Sequence, residues 1–291
     1  MKGGRHMIVF LALAGIIAIL FAVSSNKYRD VAEAPDIRMN GFKVFFPVGL
    51  LLLELFRYGY TTSYDRRLLA AITEVSGGKQ ALLLLKLHWS KKVVMLLGGA
   101  LFASLVGALS KPDAGYAVFC VLLLAGTAWL PDRELFERVK RRRLAIQLEF
   151  PDFINKLTLL INAGLPIIRA WERIAAETRK ETPLYMELKL TLQDIKAGKP
   201  EHRAYEEFAK RCRTHEVTRF ITVILQNVRK GDSELVPILR VFANDCWELR
   251  KSIAKRYGEE ASTKMLLPMM LMFIAILLIV GTPAVLALRN I

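Results

Sequence analysis

The sequence predicts an all-α membrane protein, with about five transmembrane helices plus a cytoplasmic antiparallel six-helix bundle. Three observations carry this prediction. Apolar runs of membrane length alternate with strongly charged runs. The one long polar stretch, from about Leu144 to about Lys264, repeats its apolar residues every three or four positions. No stretch alternates with the period of two that a half-buried strand needs.

Composition points the same way. Of the 291 residues, 53% are hydrophobic, yet Lys and Arg outnumber Asp and Glu by 42 to 27, a net charge of +15. On a soluble protein that excess would suggest nucleic acid. Here it lies beside apolar runs. Residues 57–92 hold Arg57, Arg66, Arg67, Lys79, Lys86, Lys91 and Lys92 against only Asp65 and Glu74, and Arg138 is followed by Val139 and the run Lys140, Arg141, Arg142, Arg143. The stretch 144–264 is closer to balance, with 21 basic and 17 acidic residues. The charge is therefore mainly a topology signal, and no nucleic-acid recognition motif accompanies it. Cys120, Cys212 and Cys246 form no C-x-x-C and have no His at ligand spacing, so they read as small buried residues in a reducing compartment. No metal or other cofactor is expected.

Residues 1–143 read as an N-terminal membrane region with spans near 7–25, 41–57, 93–109 and 114–130. Met7 to Val23 admits two readings. It is either a first membrane helix, which its length favours, or a signal peptide with a small-residue cleavage site at Ala22-Val-Ser24. Residues 24–40 fit a short extracytoplasmic loop. The second span carries Lys43 and Glu54 near its opposite ends, where they would sit at the interface. Residues 57–92 form a basic cytoplasmic loop, mostly helical. Leu82–Leu85, Leu87 and Trp89 among its lysines suit either an anionic membrane surface or packing against the central domain. The third span is rich in Gly and Ala (Gly98, Gly99, Ala100, Ala103, Gly107), which permits close helix contact in lipid. Ser110 to Asp113 turns the chain, and Pro131-Asp132 is expected to end the fourth span. Residues 265–291 hold the last span. The positive-inside rule puts 57–92 and 133–264 in the cytoplasm.

The 144–264 segment reads as three helix–Gly–helix hairpins. Phe150, Phe153, Ile154, Leu157 and Ile161 make one stripe, and Gly164 closes that helix in the left-handed conformation. Pro166 opens the next helix. Thr182-Pro183 starts a third, with a hydroxyl N-cap and a proline at the first helical position. That helix stops at Ala197-Gly198, and Pro200 opens a fourth. A fifth carries Val217, Phe220, Ile221 and Ile224 and ends at Gly231; a sixth carries Leu239, Phe242 and Leu249. No strong breaker separates this last helix from the final span.

Several stretches of this segment resemble one family: Phe150-Pro151-Asp-Phe, Leu159 to Pro166 with Ala170, Lys196-Ala-Gly198-Lys-Pro200 with Ala204, Phe208 to Arg211, Gln226 with Gly231, and Lys264-Met-Leu-Leu-Pro268. In order and spacing they resemble the F-domain platform proteins of type II secretion and type IV pilus systems. The single copy of the domain and the single span after it resemble the tight-adherence (Tad) branch, TadC-type members most, with the B-type Tad partner a close competitor. On this resemblance Pro151, Gly164, Pro166, Gly198, Gly231 and Pro268 are structural positions of the family pattern.

No catalytic constellation is present. There is no phosphate-binding G-x-x-x-x-G-K-[ST], no G-x-S-x-G and no H-E-x-x-H, and His6, His88, His202 and His215 are scattered. Glu206-Glu207 and Glu259-Glu260 are adjacent, so each pair diverges on its helix and reads as a solvated face. The resemblance implies a mechanical role. Such a protein sits in the bacterial cytoplasmic membrane as a multi-pass platform, with its central domain in the cytoplasm, and forms homo- or hetero-oligomers. It couples a cytoplasmic ATPase to the assembly of pilins or prepilins, beside a second F-domain protein and membrane lipids. Lys196, Lys199, Arg229, Lys230 and Asp232, with Lys140, Arg141, Arg142 and Arg143, are the candidate ATPase contacts; the basic run equally suits lipid head groups. From another class, a transporter or channel subunit would need polar residues inside its spans, and only Lys43 and Glu54 come near that.

Overall fold

In the computed structural model of the chain, the residues described are 11–24 apart from 13 and 16, then 45–55, 58–78, 80–109, 114–178, 181–228 and 235–289. Among them every regular element is a helix. After a helical stretch at 17–24 come α1 (Phe46–Leu55), α2 (Ser63–Ser76), α3 (Ala81–Leu109) and α4 (Ala114–Asn162). Then follow α5 (Ile167–Glu177), α6 (Pro183–Lys196), α7 (Glu201–Cys212), α8 (His215–Val228) and α9 (Leu235–Arg289). Among the described residues three helices are long and apolar enough to cross a membrane: α3, α4 and the Val236–Gly281 part of α9. Within the expected second span the structure describes the 10-residue apolar helix α1, while 41–44 and 56–57 lie outside the described residues, as do most of the expected first loop and Ser110 to Asp113.

The chain divides into two units, Met1–Arg142 and Arg143–Ile291. α4 has 49 residues and α9 has 55, so each is far longer than the roughly 20 residues a bilayer requires. At Pro131-Asp132 the apolar stretch ends but the helix does not. The helix runs through Pro131, whose ring is buried. Asp132 is held by His88, Lys92 and Tyr64, so tertiary contacts outweigh the missing backbone donor.

In the first unit, α1 and α2 both pack on α3. α1 approaches so closely that a Cβ at Gly49 would overlap the Ser90 backbone, and the Ser90 hydroxyl donates to Phe46 O at 2.7 Å. α2 begins where the Asp65 carboxylate accepts the Thr62 N–H at 3.1 Å, and it ends at Gly77 with φ +72°. The small residues of α3 meet the start of α4. A Cβ at Gly99 would crowd Thr127, one at Gly107 would overlap the Tyr116 ring, and the Tyr116 hydroxyl donates to Ala103 O at 2.7 Å. The Ala81–Leu87 stretch differs from both readings of the basic loop. It is the start of α3, and Leu85 and Leu87 are buried against α2 and α1 within this unit.

In the second unit one apolar core draws on the end of α4, on α5 to α8 and on the start of α9. Its centre is a chain of aromatic rings. Phe150 meets Phe220 edge-on at 5.5 Å and Phe242 at 6.3 Å, while Phe153 meets Trp171 at 5.5 Å. Trp171 in turn meets Phe208 at 5.2 Å. Such geometry adds about 0.5–1.5 kcal/mol per pair beyond burial. Thr182 precedes α6 as expected, but its hydroxyl donates to the Glu149 carboxylate and no side-chain cap bond forms. The most apolar 18-residue window of α9 buries nothing against the described chain.

Candidate functional site

The α6–α7 turn is set by Gly198, at φ +93°, and by Pro200 ahead of α7. It holds two of the candidate contacts. Lys196 is exposed, and its ammonium lies 3.7 Å from Glu172 of α5. Lys199 lies 2.5 Å from Glu207 and 3.6 Å from Asp194. The Glu207 hydrogen bond holds the Lys199 ammonium above its ordinary range, and the same bond holds the Glu207 carboxyl below its own. Glu207 therefore does more than face solvent, as adjacency alone suggested.

Arg211 completes this cluster. Its guanidinium donates to Glu187 at 2.6 Å and to the Thr191 hydroxyl at 2.7 Å, and reaches Asp194 at 3.4 Å. Glu187 is buried, so this α6–α7 clamp satisfies a carboxylate that would otherwise be stranded. Lys196 is the most exposed cation of this cluster, with a long 3.7 Å ion pair to Glu172.

Lys140 and Arg141 are exposed on α4, Arg142 is half-buried and Arg143 exposed. Arg229, Lys230, Gly231 and Asp232 lie outside the described residues. Pro151 is buried inside α4, Gly164 takes φ +90°, Pro166 precedes α5, and Pro268 lies within α9. Among the described residues no group of three His, Cys, Asp or Glu could hold a metal ion.

Two features escape sequence reasoning. One is a groove of about 820 Å³ between α7 and α8, floored by Ala209, Ile221 and Leu225 and rimmed by Glu206, Lys210 and Arg213. The other is a polar cluster in the first unit. Asp65 is 1% exposed and accepts the Tyr58 hydroxyl at 3.0 Å and the Trp89 indole N–H at 2.8 Å. Asp132 accepts Lys92 Nζ at 2.8 Å and the Tyr64 hydroxyl, and lies 3.0 Å from His88 Nε2. The only sequence signal was a few acids among many bases at the ends of apolar runs.

The second unit thus presents an all-helical bundle that leads into an apolar helix. Residues 153–283 match the family model of the type II secretion system (T2SS), protein F. The match covers the end of α4, all of α5 to α8 and most of α9. With the apolar helices, it is consistent with an inner-membrane protein of platform type. No curated protein and no solved structure matches the chain.

Proposed function

We propose that this chain is the inner-membrane platform of a Tad-type pilus or type II secretion-like assembly machine. It acts in the TadC-type role and couples a cytoplasmic ATPase to the assembly of pilins. The observation that carries the reading is the F-type domain at 153–283 beside apolar, membrane-length helices in the same chain. The bundle faces the cytoplasm, and its work is mechanical. A rigid aromatic core and a charge-clamped α6–α7 end suit a part that transmits force.

The ATPase contacts the polar face of the bundle through the α6–α7 and α8–α9 ends. Lys196 leads the candidates because it is exposed, whereas Lys199 is held by Glu207 and Asp194. Arg229, Lys230 and Asp232 join it, and the run Lys140 to Arg143 serves either the ATPase or lipid head groups. The second F-domain protein and the prepilins bind the same platform.

The test is a gentle detergent purification of the tagged chain from its host, followed by mass spectrometry. Co-purification of a secretion-type ATPase with prepilins or a second F-domain protein supports the reading. A chain isolated alone, from a host that makes normal pili after its deletion, removes it. Charge reversal at Lys196, Arg229 and Lys230 then tests the contact, since unchanged ATPase recruitment excludes those residues.

A further inference from the structure

A small cleft opens in the first unit between α2, α3 and α4. Its volume is about 100 Å³, room for one phosphate group. Ser76, His88, Lys91 and Arg138 supply polar edges, and Ile72 and Leu135 are among its apolar walls. Lys91 is 8% exposed and donates to Glu134, and Arg138 donates to the same carboxylate at 2.6 Å. Two cations thus share one anion. The neighbouring Lys92 is already neutralised by Asp132 at 2.8 Å, so the cleft keeps an excess positive charge.

Its position narrows the ligand. The apolar stretches of α3 and α4 give way to charge at Lys91-Lys92 and at Asp132. Trp129 is 59% exposed on α4, with the Arg133 guanidinium 5.1 Å from its ring centroid. An exposed indole paired with a cation at the end of an apolar run marks the level of the lipid head groups. Arg138 lies about 9 Å along α4 from Asp132, within the depth of a head-group layer.

We propose that this cleft is a binding site for the phosphate of an anionic phospholipid, held by Lys91 and Arg138. In the lipid-free cleft Glu134 stands in for that phosphate. A lipid phosphodiester entering the cleft takes the place of the Glu134 carboxylate between the two cations. The site is distinct from the Lys140–Arg143 run.

The full-length chain, purified in detergent and reconstituted in nanodiscs, provides the test. Native mass spectrometry reads the retention of phosphatidylglycerol against phosphatidylcholine. Wild type should prefer the anionic lipid, and R138Q should lower that preference about fivefold, as expected for one cation near a lipid surface. E134Q should raise it, because the competing carboxylate is gone; a purely structural Glu134 would not produce a gain. K189Q/R203Q, which removes two exposed cations of the second unit, should leave the preference within twofold. No gain in E134Q, or an equal loss in K189Q/R203Q, overturns the site. If 10 mM inorganic phosphate displaces the lipid completely, the ligand is free phosphate and the lipid assignment falls.

Discussion

The Asp132 carboxylate lies 2.8 Å from the ammonium of Lys92, 40 residues earlier in the chain. The two side chains are only 14% and 13% exposed, and the same carboxylate also takes the Tyr64 hydroxyl and meets His88. One acid therefore ties α2, α3 and α4 together where the apolar stretches end. The pairing also explains why α4 continues past Pro131.

This tie predicts strong coupling. D132L strands a nearly buried ammonium, and the chain should lose roughly 3 kcal/mol of stability. The double variant D132L/K92M should recover part of that loss, because the stranded charge goes with it. Unfolding followed in detergent measures both. Additive losses in the double variant would show that the pair is not coupled.

The α3 glycines separate contact from permissiveness. A Cβ at Gly107 meets the Tyr116 ring carbon Cζ at 2.8 Å, whereas one at Gly98 meets nothing within 4 Å. G107V should destabilise the α3–α4 pair by about 1–3 kcal/mol, and G98A should be neutral or slightly stabilising. Thermal stability of the two variants in one detergent gives the comparison.

Tyr205 offers the opposite sign. Its hydroxyl is buried with no hydrogen-bond partner among the described residues, and burial pushes its pKa up. Its ring packs on Trp171 at 4.9 Å. Y205F keeps the ring and removes the orphaned hydroxyl, so stability should hold or rise by about 1 kcal/mol. By contrast W171A should cost about 3–5 kcal/mol. A large loss in Y205F would reveal a partner for the hydroxyl.

The Lys199–Glu207 pair sets a pH dependence. Glu207 has its pKa lowered by the Lys199 hydrogen bond, so its contribution is present above the ordinary Glu value of about 4.3 and fades as pH falls through the lowered value. Lys199 has its pKa raised, so its contribution is present below about 10.4 and fades as pH rises through the raised value. Between those limits the pair adds no slope. Wild type and E207Q should therefore differ by a constant amount from pH 5.5 to 9 and converge below pH 4. Melting curves across that range decide it.

Much of the second unit was legible in the sequence. Gly164 and Gly198 take the left-handed conformations expected of helix ends, and Pro183 stands at the start of α6. These outcomes are local, because a glycine, a proline or a 3.6-residue stripe acts on its own few neighbours. The continuation of α4 past Pro131 was not legible, for the complementary reason. A local rule was overruled by His88 and Lys92, which no spacing argument connects to Asp132.

By itself, then, the sequence determined the helical class and the membrane-length apolar runs, since composition and periodicity carry those properties; the resemblance to a secretion F-type domain rests instead on its local motifs. The tertiary structure alone decided which charges are available. It pairs Arg211 with Glu187, Lys92 with Asp132, and Lys91 with Glu134. Ion pairing depends on distance in space, and residues 24 to 43 positions apart come within hydrogen-bonding reach only when their helices pack.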